Sequence, residues 1–430
     1  MVKAFNGVTN IWYTPMKRSQ KLFILAGDNF YQLPQYDRIS NGNVLEAFES
    51  IDDWTYYAGT FAANTTEYRT GTQSIKVTTR EGASGYGDKR VLSPSINFGG
   101  SAPNRFRISF YLAEDYENLS GITISLADEL HFNTYFYTEI FFTGTNAYGC
   151  RKGWNTIDVY SDQWVTSGVI SWESDMTSVR VAVFPIAGQI INVSFDEIRY
   201  AVTMKPGVII TFDGVQASHY NFAFPIMRAK KARGTIFVQQ SGVAETTPTW
   251  VNYLEMYNFG WDIGLYPSIT GTLVDKTSGE LDTMFATDLA VLDGQGFTRS
   301  SKYMSYPSGA YNETVFVAMA TAEIKLARTS VSQKFMTDIS DGNYILAEYI
   351  HLDASLTDVA TIKTVIDTVL SSGRLVCFNI HSLVESGAGP GSFLVSDFQE
   401  IINYIVSKDI PFLTMNDYYN MQSSAIKIKR

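Results

Sequence analysis

Between residues 44 and 203, apolar and polar side chains alternate in short runs. Ser74-Ile75-Lys76-Val77-Thr78, Arg105-Phe106-Arg107-Ile108-Ser109-Phe110 and Val179-Arg180-Val181-Ala182-Val183 are examples, with Gly, Asn, Ser and Asp between the runs. Alternation at period two with frequent turn residues predicts half-buried antiparallel strands, hence an antiparallel β-sandwich. From about Lys205 the pattern changes. Val208-Ile209-Ile210-Thr211-Phe212 and Gly234-Thr235-Ile236-Phe237-Val238 are continuous apolar runs. Leu281, Phe285, Leu289 and Leu292 then recur at helical spacing, as do Val359, Ile362, Ile366 and Val369, and Phe398, Ile402 and Ile405. Buried-type runs at Ile324–Ala327, Leu375–Phe378 and Pro411–Leu413 lie between them. Strand and helix alternate to the end, which predicts parallel strands covered by helices, an α/β unit of barrel type over 204–430. Residues 1–43, punctuated by Pro15 and Pro34, show no sustained period and read as an N-terminal arm that anchors to a partner. The expected fold is multidomain, β followed by α/β.

The chain has 430 residues, 45% hydrophobic and 18% charged, which is enough apolar surface for real cores and excludes a disordered chain. A net charge of -10 argues against a nucleic-acid partner, which calls for a basic stripe. Near the amino terminus the one apolar cluster, Leu22–Ala26, is too short and too late for a secretory signal. No run approaches the ~18 apolar residues of a membrane span. The expectation is a soluble chain made in a cytoplasm, without membrane insertion. Cys150 and Cys377 sit in different halves, and Cys377 lies in an apolar run that predicts a buried free thiol. Two cysteines and scattered histidines make no structural zinc spacing.

Several motifs carry family resemblances. Phe48-Glu49 with Trp54, Gly71-Thr72-Gln73-Ser74-Ile75-Lys76-Val77, Gly153-Trp154-Asn155-Thr156-Ile157 and Phe195-Asp196-Glu197-Ile198 follow one another in the order found in jelly-roll modules that accompany carbohydrate-active proteins. The region 44–203 resembles those modules. Downstream, the chain reads Ile210-Thr211-Phe212-Asp213-Gly214, then Gly260-Trp261-Asp262-Ile263-Gly264-Leu265-Tyr266, then Pro307-Ser308-Gly309-Ala310-Tyr311-Asn312. Phe378-Asn379-Ile380-His381-Ser382 and Pro411-Phe412-Leu413-Thr414-Met415 follow. Over 205–420 this set resembles the polysaccharide deacetylases (carbohydrate esterase family four), which implies a distorted α/β barrel that removes acetyl groups from glycans.

The resemblance also implies a site. Such enzymes hold a divalent metal, usually zinc, on one aspartate and two histidines, with a neighbouring aspartate as base. The metal lowers the pKa of bound water from 15.7 to about 7. On this alignment the base position is Asp213 and the acid position His381, while the ligand positions are Gly214, Tyr266 and Thr270. The arginine that orients the base falls on Ser305. Neither Thr nor Tyr is a routine zinc ligand, so the expectation is a catalytically degenerate barrel without a cofactor. The alternative is one divalent metal, zinc-like, rebuilt on Asp213, His219 and Asp262; otherwise His219 reads as a surface histidine on the first crossover. Trp261, Tyr266, Tyr306 and Tyr311 are expected near the carboxyl-end face of the barrel, where flat rings and hydroxyls suit sugars. His131 and His351 carry no motif.

Two functions follow as expectations. The first is a structural or glycan-facing protein of a bacteriophage virion surface (tail spike, fibre or appendage). It would be homo-oligomeric, joined to other virion proteins through the arm and facing bacterial surface polysaccharide. The second is an active deacetylase or esterase acting on such glycans, with an extracellular location as the alternative setting.

Overall fold

The computed structural model describes residues 42–425, apart from 82, 90–91, 93, 103–104, 143–151, 203–204, 245–247, 331–348 and 356. Four N-terminal strands and the segments 349–351 and 421–425 are described as backbone. Cys150 and the tail 426–430 lie outside the described residues. Ile39–Met204 forms one compact unit, and Lys205–Ser330 with Tyr349–Ala425 belongs to another.

Residues 1–43 are not irregular throughout. Val2–Asn6 pairs antiparallel with Thr9–Tyr13, and Leu22–Ala26 pairs with Asn29–Leu33. The signal was present in the sequence, because two residues containing a glycine, Gly7-Val8 and Gly27-Asp28, separate each pair of short β-prone runs.

The first compact unit contains two six-stranded antiparallel sheets. One runs Gly153–Tyr160, Arg105–Leu112, Asn192–Tyr200, Ser74–Thr78, Thr60–Asn64, with Asn43–Glu46 also paired to Asn192–Tyr200. The other runs Val165–Ser167, Tyr135–Phe141, Leu119–Ala127, Ser178–Pro185, Gly85–Lys89, Trp54–Ala58. Alternation decides which face is buried: Ile122, Ile124 and Leu126 enter the same core as Phe110 and Phe195, while Thr123 and Ser125 point the other way.

The second unit is built on a parallel sheet of eight strands. Seven run in the order Leu326–Arg328, Tyr303–Ser305, Asp262–Leu265, Thr235–Val238, Gly207–Asp213, Leu375–Ile380, Tyr349–His351, and the eighth is Phe412–Leu413. One edge of the central strand is shared: Thr211–Asp213 pairs with Thr235–Phe237, and lower down Val208–Ile209 pairs with Phe412–Leu413. The sheet is therefore splayed and curled, and its outer strands do not pair with each other among the described residues. The predicted helical stripes are buried on Ser278–Gly294, Val359–Ser372 and Val395–Ser407, except that Val359 itself is half-buried. Thr277 caps the first of these by accepting from the Glu280 amide, and Glu280 accepts from the Thr277 amide in return. Cys377 is a buried free thiol, its pKa raised to about 11 by burial. No helix among the described residues is long and apolar enough to cross a membrane.

Close packing at one glycine marks the tightest part of this sheet. A Cβ on Gly264 would sit 2.6 Å from the carbonyl oxygen of Tyr303 and 3.1 Å from Phe237. Backbone on the neighbouring strand cannot step aside cheaply. Gly264→Ala is expected to destabilise the protein by about 1–3 kcal/mol, read as a lower denaturant midpoint in urea.

Candidate functional site

The carboxyl ends of the parallel strands bring four polar side chains together. Asp213 ends the central strand, and Arg328 and Ser305 end the two strands at one edge of the sheet. Asn379 lies one position before the end of Leu375–Ile380, in register with Thr211. Arg328 Nη2 donates to Asp213 Oδ2 and, at 2.8 Å, to Ser305 Oγ. Asn379 Nδ2 donates to the same Asp213 oxygen at 3.2 Å, while its Oδ1 accepts from Thr211 Oγ1 at 3.1 Å. The Arg328 and Asp213 side chains are 1% and 10% exposed. Three strands separate theirs, so on a flat sheet they would stand about 19 Å apart. Their contact exists because the sheet curls.

Burial alone would raise the Asp213 carboxyl. The Arg328 guanidinium, with help from His381, holds it down at about 2. Asp213 Oδ1 is buried and accepts no hydrogen bond from the described residues. His381 follows Leu375–Ile380, with Nε2 3.7 Å from Asp213 Oδ2 and its side chain 48% exposed. The expected base and acid positions are thus neighbours.

His219 is not a surface histidine. It opens the π-helical turn His219–Ala223, which turns its ring inward, and it is fully buried. Nε2 donates to the carbonyl of His381 at 2.8 Å, which fixes the proton on Nε2 and leaves Nδ1 buried without a hydrogen-bond partner. Burial pushes its pKa down to about 4, against the opposing effect of that bond.

Asp213, His219 and Asp262 do not form one site. Asp262 begins its strand, and it is Gly264, two residues further on, that is level with Phe237 and Asp213, so Asp262 stands two positions toward the amino end from Asp213. There it accepts from the Asn416 amide at 2.7 Å and pairs with Arg299 at 3.3 Å. No group of three His, Cys, Asp or Glu side chains among the described residues is placed to hold a metal. At the three ligand positions implied by resemblance, Gly214 has a φ of +81° and offers no side chain, Tyr266 is half-buried, and Thr270 is exposed. This donor set does not fit zinc.

The expected sugar-facing aromatics divide. Trp261 precedes the Asp262–Leu265 strand at the amino end and is buried, stacked on Phe212 at 5.4 Å and edge-on to Phe224 at 5.8 Å. It is a core residue, because it lies at the opposite end of its strand from Tyr266. Tyr306 is at the carboxyl end but is also buried, its hydroxyl donating to Met319 Sδ at 3.3 Å. Tyr311 is half-buried against Tyr306 and Phe316, with centroids 5.1 and 5.4 Å away. Only Tyr266 and Tyr311 of the four have surface near the carboxyl ends. Sequence reasoning missed Arg328 and Asn379. The signal was a single polar residue within each of two apolar strands, Leu326-Ala327-Arg328 and Phe378-Asn379-Ile380.

Residues 201–327 match the family model described as polysaccharide deacetylase. No curated protein matches the chain. Among solved structures, a family 4 carbohydrate esterase from Streptomyces lividans is 13% identical, with a TM-score of 0.36, covering 48% of this chain and 91% of that one. A mutant of the peptidoglycan deacetylase from Bacillus subtilis is 14% identical, with a TM-score of 0.36, covering 51% and 93%. The chitin deacetylase from the fungal pathogen Colletotrichum lindemuthianum is 15% identical, with a TM-score of 0.38, covering 50% and 87%.

His219 has a pH consequence. Its folded pKa of about 4 lies below the ordinary 6.5, so the unfolded chain binds the proton first. Its contribution to stability is full above pH 6.5 and falls, by on the order of 3 kcal/mol, as pH drops toward 4. Asp213 contributes above its ordinary 3.8 and loses that contribution only as pH falls toward 2, so the two windows are separate. Urea denaturation between pH 7 and 4 is expected to show the His219 slope, and His219→Gln, which keeps a donor for the His381 carbonyl, is expected to flatten it.

Proposed function

We propose that the polysaccharide deacetylase-like unit of this protein faces glycans without hydrolysing them. The observation that carries this reading is the pairing of a clamped Asp213 with a neighbour, Gly214, that has no ligand to offer. A carboxylate with a pKa of about 2 is a weak base. Full proton transfer to it from free water at 15.7 is uphill by roughly 19 kcal/mol, whereas a metal-bound water near 7 would reduce that by more than half. Tyr266, Tyr311 and the exposed His381 supply a surface of rings and hydrogen-bonding groups suited to a polysaccharide.

One observation favours the alternative of an active deacetylase or esterase. Arg328 supplies the guanidinium that the alignment loses at Ser305, so the base position keeps its arginine through a different strand. The test is acetate release from acetylated chitin oligomers and acetylated xylan, with and without added zinc. The expected result is release no faster than in buffer, and no difference between the unaltered chain and Asp213→Ala. Metal-dependent release that Asp213→Ala abolishes would establish the enzyme instead.

The setting we propose is a virion surface, with the protein as a homo-oligomer held to other particle proteins through residues 1–43. The tyrosine-rich, weakly charged composition, 26 Tyr and 27 Phe with 18% charged residues, supports this. Mass spectrometry of purified phage particles is expected to find the chain; particles that lack it would remove this part of the proposal.

A further inference from the structure

The outward face of a sheet in the first compact unit carries a trough that is independent of the deacetylase-like unit. Its floor is made of small side chains on the two central strands. Thr123 is in register with Ala182, and Ser125 with Arg180. Tall side chains stand on both sides of that floor. Tyr86 pairs with Ala182 on one side, while Glu139 pairs with Thr123 and Tyr137 with Ser125 on the other. One row therefore reads Tyr86, Ala182, Thr123, Glu139 across four strands, about 14 Å wide at ordinary strand spacing. Phe184, 40% exposed, bounds the trough further along the strand. The cavity has a volume of about 450 Å³, within the usual size for small-ligand sites.

The walls are flat and held in place. Tyr57 stacks on Tyr86 at 5.4 Å, and Tyr135 lies 5.8 Å from Tyr137. Arg180 is fixed from the side by two bonds to its cross-strand partner, the buried Asp88, at 2.6 and 3.0 Å, and its guanidinium lies 4.2 Å from the Phe132 ring and 5.3 Å from that of Tyr86. Asp88 neutralises Arg180, which leaves Glu139 as the lining charge. Among the described residues no hydrogen bond engages the Glu139 carboxylate or the hydroxyls of Tyr135 and Tyr137. A phosphate or an acidic polymer has no free cation to meet here. A chain of neutral sugar rings meets flat apolar faces and a set of donors and acceptors around a floor low enough to admit it.

We propose that this trough is a binding site for a neutral oligosaccharide of pyranose rings. It does not rest on the reading of the deacetylase-like unit. The test is calorimetric titration of the full chain with unbranched β-1,4-linked hexasaccharides of glucose, xylose and N-acetylglucosamine. Binding of at least one is expected, weakened about tenfold or more by Tyr137→Ala and by Tyr86→Ala, and abolished by Ala182→Leu, which fills the floor. Glu139→Gln, at an exposed edge where folding is not at stake, is expected to weaken binding measurably. Failure of all three sugars to bind, or binding untouched by Ala182→Leu and Glu139→Gln, overturns the site. Binding lost in Tyr266→Ala but kept in Ala182→Leu would place the sugar in the other unit and also overturns it. So does uptake of a decaproline peptide in place of the sugars, the other ligand that a tyrosine-lined trough admits.

Discussion

A guanidinium and a carboxylate held out of water, Arg328 and Asp213, tie the edge of the parallel sheet to its centre. Each charge is costly to bury alone, and removing one partner from such a pair typically destabilises by about 3–5 kcal/mol. Three strands intervene, so the pair closes only while all of them stay curled together. The same bond sets the electrostatics of the site. It keeps Asp213 ionised far below neutral pH, and it recruits Ser305 and Asn379 into one network with Thr211. His381 is held beside that network from behind, through its own carbonyl, by a histidine with no surface of its own.

Much of the architecture was legible in the sequence. The change of period near residue 205 separated antiparallel strands from alternating strands and helices, and the stripes Leu281, Phe285, Leu289, Leu292 and Phe398, Ile402, Ile405 are buried as their spacing implied. The candidate site was legible only in part. Motif order identified Asp213 and His381, because both follow apolar strands directly. Arg328 was invisible because curl, a property of the whole sheet, decides which strand ends converge. Trp261 was misplaced because a motif fixes sequence distance to a strand but not which end of it faces the cleft. His219 was misread because a π-helical turn rotates a residue away from the face that an ordinary helix would give it.

The two compact units place their aromatic side chains in different ways. In the deacetylase-like unit, two of the four aromatics expected at the surface went into packing, Trp261 against Phe212 and Tyr306 against Met319. In the β unit the reverse holds. Small residues at the middle of a sheet leave rings standing on either side, with Tyr86 and Tyr137 only half-buried. Where aromatic area is exposed depends less on how many rings a segment has than on whether their neighbours are short.

The glycine after Asp213 limits what that position can offer. Its φ of +81° is open to glycine at no cost but strained for a residue with a Cβ, by about 1–2 kcal/mol or more. A Cβ there meets no atom within 4 Å, so the strain lies in the main chain alone, whose Gly214 amide donates to the Phe237 carbonyl at 2.9 Å. An aspartate at this position would therefore have room for its carboxylate but would carry a backbone cost that glycine avoids.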